Sequence, residues 1–165
     1  MALHDHCSYC GAAFAQGAPW PRVCAACGET TWRNPLPVAV TLLPVDTGEG
    51  RGIVVVRRDI EPRRGELALP GGFIELGESW QEAAVRELLE ETTIAAEAGD
   101  VRLFDVHSVA SGNLIVFGVL PPRPAAELPP SVRTEESLGF EVAVGPRELC
   151  FPTHTDMLAA YFASA

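Results

Sequence analysis

The stretch Gly71–Ile94, GGFIELGESWQEAAVRELLEETTI, decides how this chain is read. Ser79 followed three residues later by Glu82 is a capping-box pattern, so a helix should open at Trp80 and run to about Thr92. At about 100° per residue, Ala84, Val85, Leu88 and Leu89 share an arc suited to a core, and Glu87, Glu90 and Glu91 gather on the neighbouring arc. Carboxylates three and four positions apart repel each other, and in the C-terminal half of a helix the macrodipole disfavours them as well. Each penalty is only a few tenths of a kcal/mol on an exposed helix, so a solvated acidic face would also survive it. A divalent cation turns the same crowding into a ligand set. Two glycines ahead of the helix, Gly71 and Gly72, allow close approach of a ligand or a sharp turn. Arg86 is expected to reach Glu82 and Glu90 at four-residue spacing and hold the acidic group in place.

Gly72, five residues, Glu78, seven residues, then Arg86-Glu87-Leu88-Leu89-Glu90-Glu91-Thr92-Thr93-Ile94 resembles the Nudix box at every spacing. One position departs, because the family usually has glycine where this chain has Thr93. A β-branched residue in a left-handed helix cap is strained by roughly 1–2 kcal/mol, so either the helix ends by another geometry or some stability is given up.

The resemblance implies an α+β protein, a Nudix-type mixed β-sheet packed between helices. It also implies a divalent-metal-dependent pyrophosphohydrolase that cleaves the diphosphate linkage of a nucleoside diphosphate derivative such as ADP-ribose, FAD or a related dinucleotide. Mg²⁺ or Mn²⁺ prefers oxygen ligands and bridges to phosphate, which suits Glu87, Glu90 and Glu91. By analogy with the family, the main-chain carbonyl of Gly71 adds a ligand, and Glu78 and Arg86 orient the cluster. A further carboxylate is expected ahead of a late strand, where Glu136 is similar to the family's position and Glu135 is its rival.

The amino-terminal arm carries a second signal. Cys7 and Cys10, then Cys24 and Cys27, form two CxxC pairs thirteen residues apart, each followed by glycine. Four thiolates at that spacing are the pattern of a structural Zn²⁺ ribbon. Disulfides fit less well, since MALHDHCSYC has no long apolar run for export and Cys150 would be left odd. Cys150 itself reads as a small buried apolar group. An arm this short buries little core, so metal should supply most of its folding free energy.

Residues 1–34 are therefore expected to form the zinc ribbon and residues 35–165 the Nudix domain. The segment PVAVTLLPV should be one strand ending near Asp46, followed by GIVVVRR, the short strands LALP and FIE, and an antiparallel pair VRLFDVHSV and NLIVFGVL. Five prolines in PPRPAAELPP forbid a central strand or helix there; LGFEVAV and a helix from about Thr153 close the chain.

Beyond the box, the ribbon followed by RNP, the RRDIEP segment and CFPTHTDMLAAYF is similar to zinc-ribbon members of the family. The NADH pyrophosphatase branch carries SQPWPFPQS downstream of its box, and this chain does not. The 165 residues, 47% hydrophobic, suit one core with a metal-stapled appendage, no membrane span, and a cytoplasmic setting. The formal net charge of −10 makes nucleic acid an unfavourable partner and a small nucleotide the expected one. Family members often pair into dimers, so a homodimer is a further implication. Two alternatives remain, a non-catalytic nucleotide-sensing or interaction protein on the same fold, and an NADH or nucleotide-cap pyrophosphatase.

Overall fold

Strand β3 (Leu36–Leu42) alternates between two cores: Ala39 and Thr41 face one side, Val40 and Leu42 the other. Buried on both faces, it reads as a nearly unbroken apolar run. The computed structural model describes residues 4–164, and the chain divides into two compact units between Pro35 and Leu36.

In the larger unit the single expected strand over PVAVTLLPV is two, β3 and β4 (Pro44–Thr47). The carbonyl of Leu42 accepts from Leu120, and that of Leu43 accepts from Val54. Adjacent carbonyls thus bond in opposite directions, and the chain passes from one sheet to the other at this point. Hydropathy cannot register the switch, because Leu42, Leu43 and Val45 are all fully buried.

After β5 (Gly50–Arg58), β6 (Leu67–Ala68) and β7 (Gly71–Phe73) comes helix α1 (Trp80–Thr92), then β8 (Arg102–Ser108), β9 (Asn113–Val119), β10 (Arg123–Pro124), β11 (Ser137–Ala143) and α2 (Pro152–Ser164). One sheet has the order β7-β3-β9-β8, with β3 and β9 parallel and the outer pairs antiparallel. The other runs β10-β4-β5-β11, with β6 also on β5. The proline-rich segment contributes β10, at a sheet edge, as the missing N–H groups require, and a single 3-10 turn over Ala125–Glu127.

Val40, Leu42, Ile53, Val55 and Phe117 pack with Met157 and Leu158 of α2. Ala39, Leu43, Val45 and Val54 pack with Ala83, Ala84 and Leu88 of α1. The sheets thus lie between two helices in an α+β fold. Burying a side chain such as Leu88 contributes roughly 2 kcal/mol.

Helix α1 opens through both halves of the capping box: the Glu82 N–H donates to Ser79 Oγ at 3.2 Å and the Ser79 N–H donates to Glu82 Oε2 at 2.8 Å. Its buried face is Ala83, Ala84, Glu87, Leu88, Glu91 and Thr92. That corrects the expected arc by about one residue, since Leu89 is largely exposed and Val85 half-buried. The hydrophobic arc alone pointed the helix too far from its glutamates. Thr41 Oγ1, donating to the Ala84 carbonyl at 2.9 Å, and the Gly71 N–H, donating to Glu91 at 3.0 Å, fix the true rotation. Thr93 ends the helix in the left-handed region at φ 62°, its N–H donating to the Leu89 carbonyl. The strained option of the two is the one adopted.

In the smaller unit, β1 (Arg22–Val23) and β2 (Thr30–Thr31) form a hairpin. Each CxxC turn closes alike, with the Gly11 N–H donating to the Cys7 carbonyl and the Gly28 N–H to the Cys24 carbonyl. Arg22 lies over the rings of Trp20 and Phe14, its guanidinium 4.3 and 5.5 Å from their centres.

Candidate functional site

Arg86 is the hub of the acidic cluster. Its Nε and Nη2 donate to the two carboxylate oxygens of Glu78 at 2.8 and 3.0 Å, its Nη1 donates to Glu87 at 2.7 Å and Glu90 at 3.2 Å, and Nη2 also meets the Phe73 carbonyl. Glu82, expected as an Arg86 partner, is instead occupied in the helix cap. The forked pairing with Glu78 lowers that carboxyl's pKa and raises that of Arg86, so both stay charged.

The glutamates occupy different environments. Glu90 is exposed, whereas Glu87 and Glu91 are 8% and 3% exposed. Burial raises the pKa of Glu87 despite Arg86. Burial likewise pushes Glu91 up to about 8, with the Gly71 N–H opposing and the charges of Glu87 and Glu136 adding to the rise. Glu91 makes no ion pair among the described residues. A buried carboxylate among like charges is unfavourable without a cation, and hard divalent ions take carboxylate oxygen, although among the described residues these carboxylates are not gathered as closely as the four sulfurs of the arm.

Gly71 faces the same place. Ala39 pairs with Gly72, and the flanking bonds run from Thr41 N–H to the Pro70 carbonyl and from Ile74 N–H to the Pro37 carbonyl. This register turns the N–H and C=O of Gly71 away from β3, and its N–H meets Glu91. A Cβ on Gly72 would lie 2.4 Å from the Glu87 carboxylate, so only glycine lets that side chain close against β7.

Glu136 comes from the segment leading into β11. Its carbonyl accepts from the Asp59 N–H at 2.7 Å, and next to it Ser137 Oγ donates to the Glu91 carbonyl at 2.6 Å. Asp59 is gripped by Arg64 and Arg133, which hold its carboxyl below the usual range. Glu136 is the one whose charge acts on both Glu87 and Glu91; its rival Glu135 is not among the principal influences on either. The Asp59 anchor was not singled out from the sequence, although RRDIEP contains it.

A cavity of about 620 Å³ adjoins Gly71 and Gly72. Phe73, Phe151, Val40 and Ile115 supply apolar walls, and Arg58 is the one charged lining group among the described residues. His107 lies elsewhere, against Asp105 and the Phe117 ring. His154 lines the cavity at 6% exposure, and its Nδ1 accepts from the Leu69 N–H at 3.1 Å. Burial pushes its pKa down to about 3. Cys150 is buried, and burial raises its thiol pKa, as an inert apolar group requires.

In the arm, all five cysteines of the chain being free, Cys7, Cys10, Cys24 and Cys27 bring four sulfurs within 4.8 Å of one another. Cys7 Sγ is 3.7 Å from Cys27 Sγ, and Cys10 Sγ is 3.6 Å from Cys24 Sγ. Zn–S bonds of about 2.3 Å in a tetrahedron set sulfur–sulfur edges of about 3.8 Å, so the cluster has the size of a zinc site. The N–H groups of Cys10 and Tyr9 draw Cys7 down to about 6, and those of Cys27 and Ala26 lower Cys24. For Cys27 the Glu29 N–H lowers the pKa, but burial and the other three thiols outweigh it and carry the value to about 12. Four thiolates cannot coexist here without positive charge. His4 and His6 are not part of the four-sulfur group.

The NUDIX domain family profile matches residues 35–157, and the chain belongs to the Nudix family. Among curated relatives, the NAD-capped RNA hydrolase NudC of Edwardsiella ictaluri (strain 93-146) is 29% identical over 92 residues, 55% of this chain and 34% of that protein. The ADP-ribose pyrophosphatase of Methanocaldococcus jannaschii is 52% identical over 40 residues, 24% of each chain. The present chain thus spans about a third of the first relative's length and a quarter of the second's. A crystal structure of a NUDIX hydrolase from Nitrosomonas europaea aligns with a TM-score of 0.67 at 23% identity, covering 97% of this chain and 91% of that one, which shows a common fold. Among the described residues no helix is long and apolar enough to cross a membrane.

Proposed function

We propose that this chain is a Mg²⁺- or Mn²⁺-dependent pyrophosphohydrolase that cleaves the diphosphate linkage of a nucleoside diphosphate derivative, ADP-ribose, FAD or a related dinucleotide. Buried Glu91 carries the reading: its carboxylate faces Gly71, is crowded by Glu87 and Glu136, forms no ion pair among the described residues, and has only the more distant charge of Arg58 acting in its favour.

Glu87, Glu90, Glu91, Glu136 and the Gly71 carbonyl would hold the cation. When bound, a divalent ion there offsets phosphate charge and lowers the pKa of a water that attacks phosphorus. Arg86, braced by Glu78, keeps Glu87 and Glu90 at the cluster edge. The Gly71 N–H orients Glu91, and the Asp59 anchor holds the Glu136 backbone against β5. Leaving these carboxylates partly unsatisfied keeps room for phosphate oxygens.

In the same reading residues 1–34 form a closed Zn²⁺ ribbon with a structural role, and residues 35–165 do the chemistry. Free thiols at metal-ligand distance are the expected state of a reducing, cytoplasmic setting. The net charge of −10 favours a small nucleotide over a polyanion. The NudC relative makes NAD-capped RNA the substrate to test against that argument.

A phosphatase-coupled phosphate-release screen with Mg²⁺ and Mn²⁺ over ADP-ribose, FAD, NADH, NAD and NAD-capped RNA tests the proposal. Turnover of at least one small dinucleotide, absent without divalent metal, is expected. Binding without turnover on every substrate would instead establish a nucleotide sensor.

A further inference from the structure

The hydrogen bond from the Leu69 N–H to His154 Nδ1, at 3.1 Å, settles the state of the imidazole. A ring nitrogen that accepts a hydrogen bond from an amide N–H carries no hydrogen of its own, so His154 is neutral and its hydrogen sits on Nε2. Nε2 has no hydrogen-bond partner among the described residues. No buried side-chain nitrogen or oxygen among them is sealed off without a partner. Nε2 must therefore open to accessible space, and the space that His154 lines is the cavity beside Gly71 and Gly72. A residue 94% removed from solvent, with its tautomer fixed by the backbone and its ring edge-on to Phe117 and Phe151, thus leaves one donor without a hydrogen-bond partner among the described residues at the wall of a largely apolar chamber.

The rest of the chamber indicates what that donor meets. Its aromatic walls, Phe73 and Phe151, suit a flat ring. Arg58 lies 5.3 Å from the Phe151 ring centre, has its Nε committed to the Pro62 carbonyl, and forms no ion pair with a carboxylate. A charge of that sign suits an anionic group attached to the ring. Among the described residues no acidic side chain lines the chamber, although the protein as a whole is strongly acidic.

We infer that His154 is a specificity-determining residue: its Nε2–H donates to a ring nitrogen or carbonyl oxygen of a nucleotide's aromatic heterocycle held in this cavity. This deepens the function proposed above and rests on it for the ligand being a nucleotide. Leu69 immediately precedes the Pro70-Gly71-Gly72 turn, so the bond that sets the tautomer also ties the ring-reading residue to the segment facing Glu91. The donor selects: a ring without an acceptor at that point would leave Nε2–H unpaired in a desolvated place.

The test is calorimetric binding of AMP, FMN and NMN to the full chain without added Mg²⁺ or Mn²⁺, so that binding is read apart from turnover. His154→Asn keeps an acceptor near the Nδ1 position for Leu69 and removes the Nε2–H. At least one mononucleotide should bind the wild type and lose about tenfold in affinity to H154N, at an unchanged melting temperature. The mononucleotide that responds identifies the heterocycle. If it is AMP, one of its deaza analogues, with ring nitrogen replaced by carbon, should lose about as much against the wild type and nothing further against H154N. Nitrogen NMR of the wild-type imidazole supplies a readout that does not depend on the variant folding, because the Nε2–H resonance should move downfield on saturation. An unmoved resonance, equal affinity of H154N for every mononucleotide, or no binding of any to the wild type overturns the assignment. A sensor without hydrolysis would fail the substrate screen yet pass here, and a hydrolase indifferent to His154 would do the reverse.

Discussion

The cysteine cluster of the amino-terminal unit and the glutamate cluster of α1 are both crowds of potential anions, yet they are built oppositely. The four sulfurs already stand within 4.8 Å of one another, with paired edges of 3.6 and 3.7 Å. The carboxylates do not converge: Arg86 holds Glu87 and Glu90, and the Gly71 N–H holds Glu91. A closed tetrahedron leaves no position for a substrate and suits a structural ion, whereas a dispersed oxygen set braced by its own arginine leaves positions to be filled. On the proposed reading one cluster serves folding and the other chemistry, a division that experiment can break.

Removing the thiol site should have the largest effect. Structural zinc supplies apparent binding energies of about 10–16 kcal/mol in small domains, so Cys24→Ser should release one equivalent of zinc and unfold the arm. Elemental analysis finding no zinc in the wild type would end that half of the comparison. Next come Glu87→Gln and Glu91→Gln, each expected to lower turnover by roughly 10²- to 10³-fold without loss of the fold. For Glu91→Gln the metal-free protein should melt no lower than the wild type, since burial and the neighbouring Glu87 and Glu136 already disfavour the charged form of Glu91, which glutamine cannot adopt. Near-wild-type rates in both variants would dismiss the proposed site.

A smaller effect separates acid sensitivity from both clusters. His154 is held neutral with its pKa near 3 in the fold, against about 6.5 in an unfolded chain. Between those values the unfolded chain binds a proton that the folded one refuses. Stability is therefore full above about pH 6.5 and falls as the pH drops toward 3. At pH 5 the loss from this group is about 2 kcal/mol, and denaturant midpoints of His154→Asn should show a correspondingly shallower pH dependence. Parallel curves for the two proteins would show that the histidine is not the cause. The smallest expected change is Thr93→Gly: relief at φ 62°, partly offset by the freer unfolded chain, should stabilise by roughly 0.5–1 kcal/mol in chemical denaturation. A loss of stability there would mean that Thr93 is better accommodated than its backbone angle indicates.

Local signals were read most faithfully. Ser79 and Glu82 gave the helix start, Thr92 its end, and the CxxC spacing the four sulfurs that come together. Each depends on neighbours within a few residues or on a repeated short turn. The helix's buried face lies about one position from the arc its hydrophobic pattern gives, because an amphipathic pattern containing Leu89 cannot reveal which leucine faces a sheet. The break between β3 and β4 was hidden for a similar reason, both sides of it being apolar.

The sequence by itself determined the family, the helix carrying the acidic set, and the two CxxC pairs that supply the thiols, since spacing along a chain fixes which side chains share a turn. Only the tertiary structure decided that Glu87 and Glu91 are buried and Glu90 is not, that Glu136 acts on both, and that His154 meets Leu69 from 85 residues away. Burial and long-range pairing arise from how sheets and helices stack, and local sequence carries no measure of that.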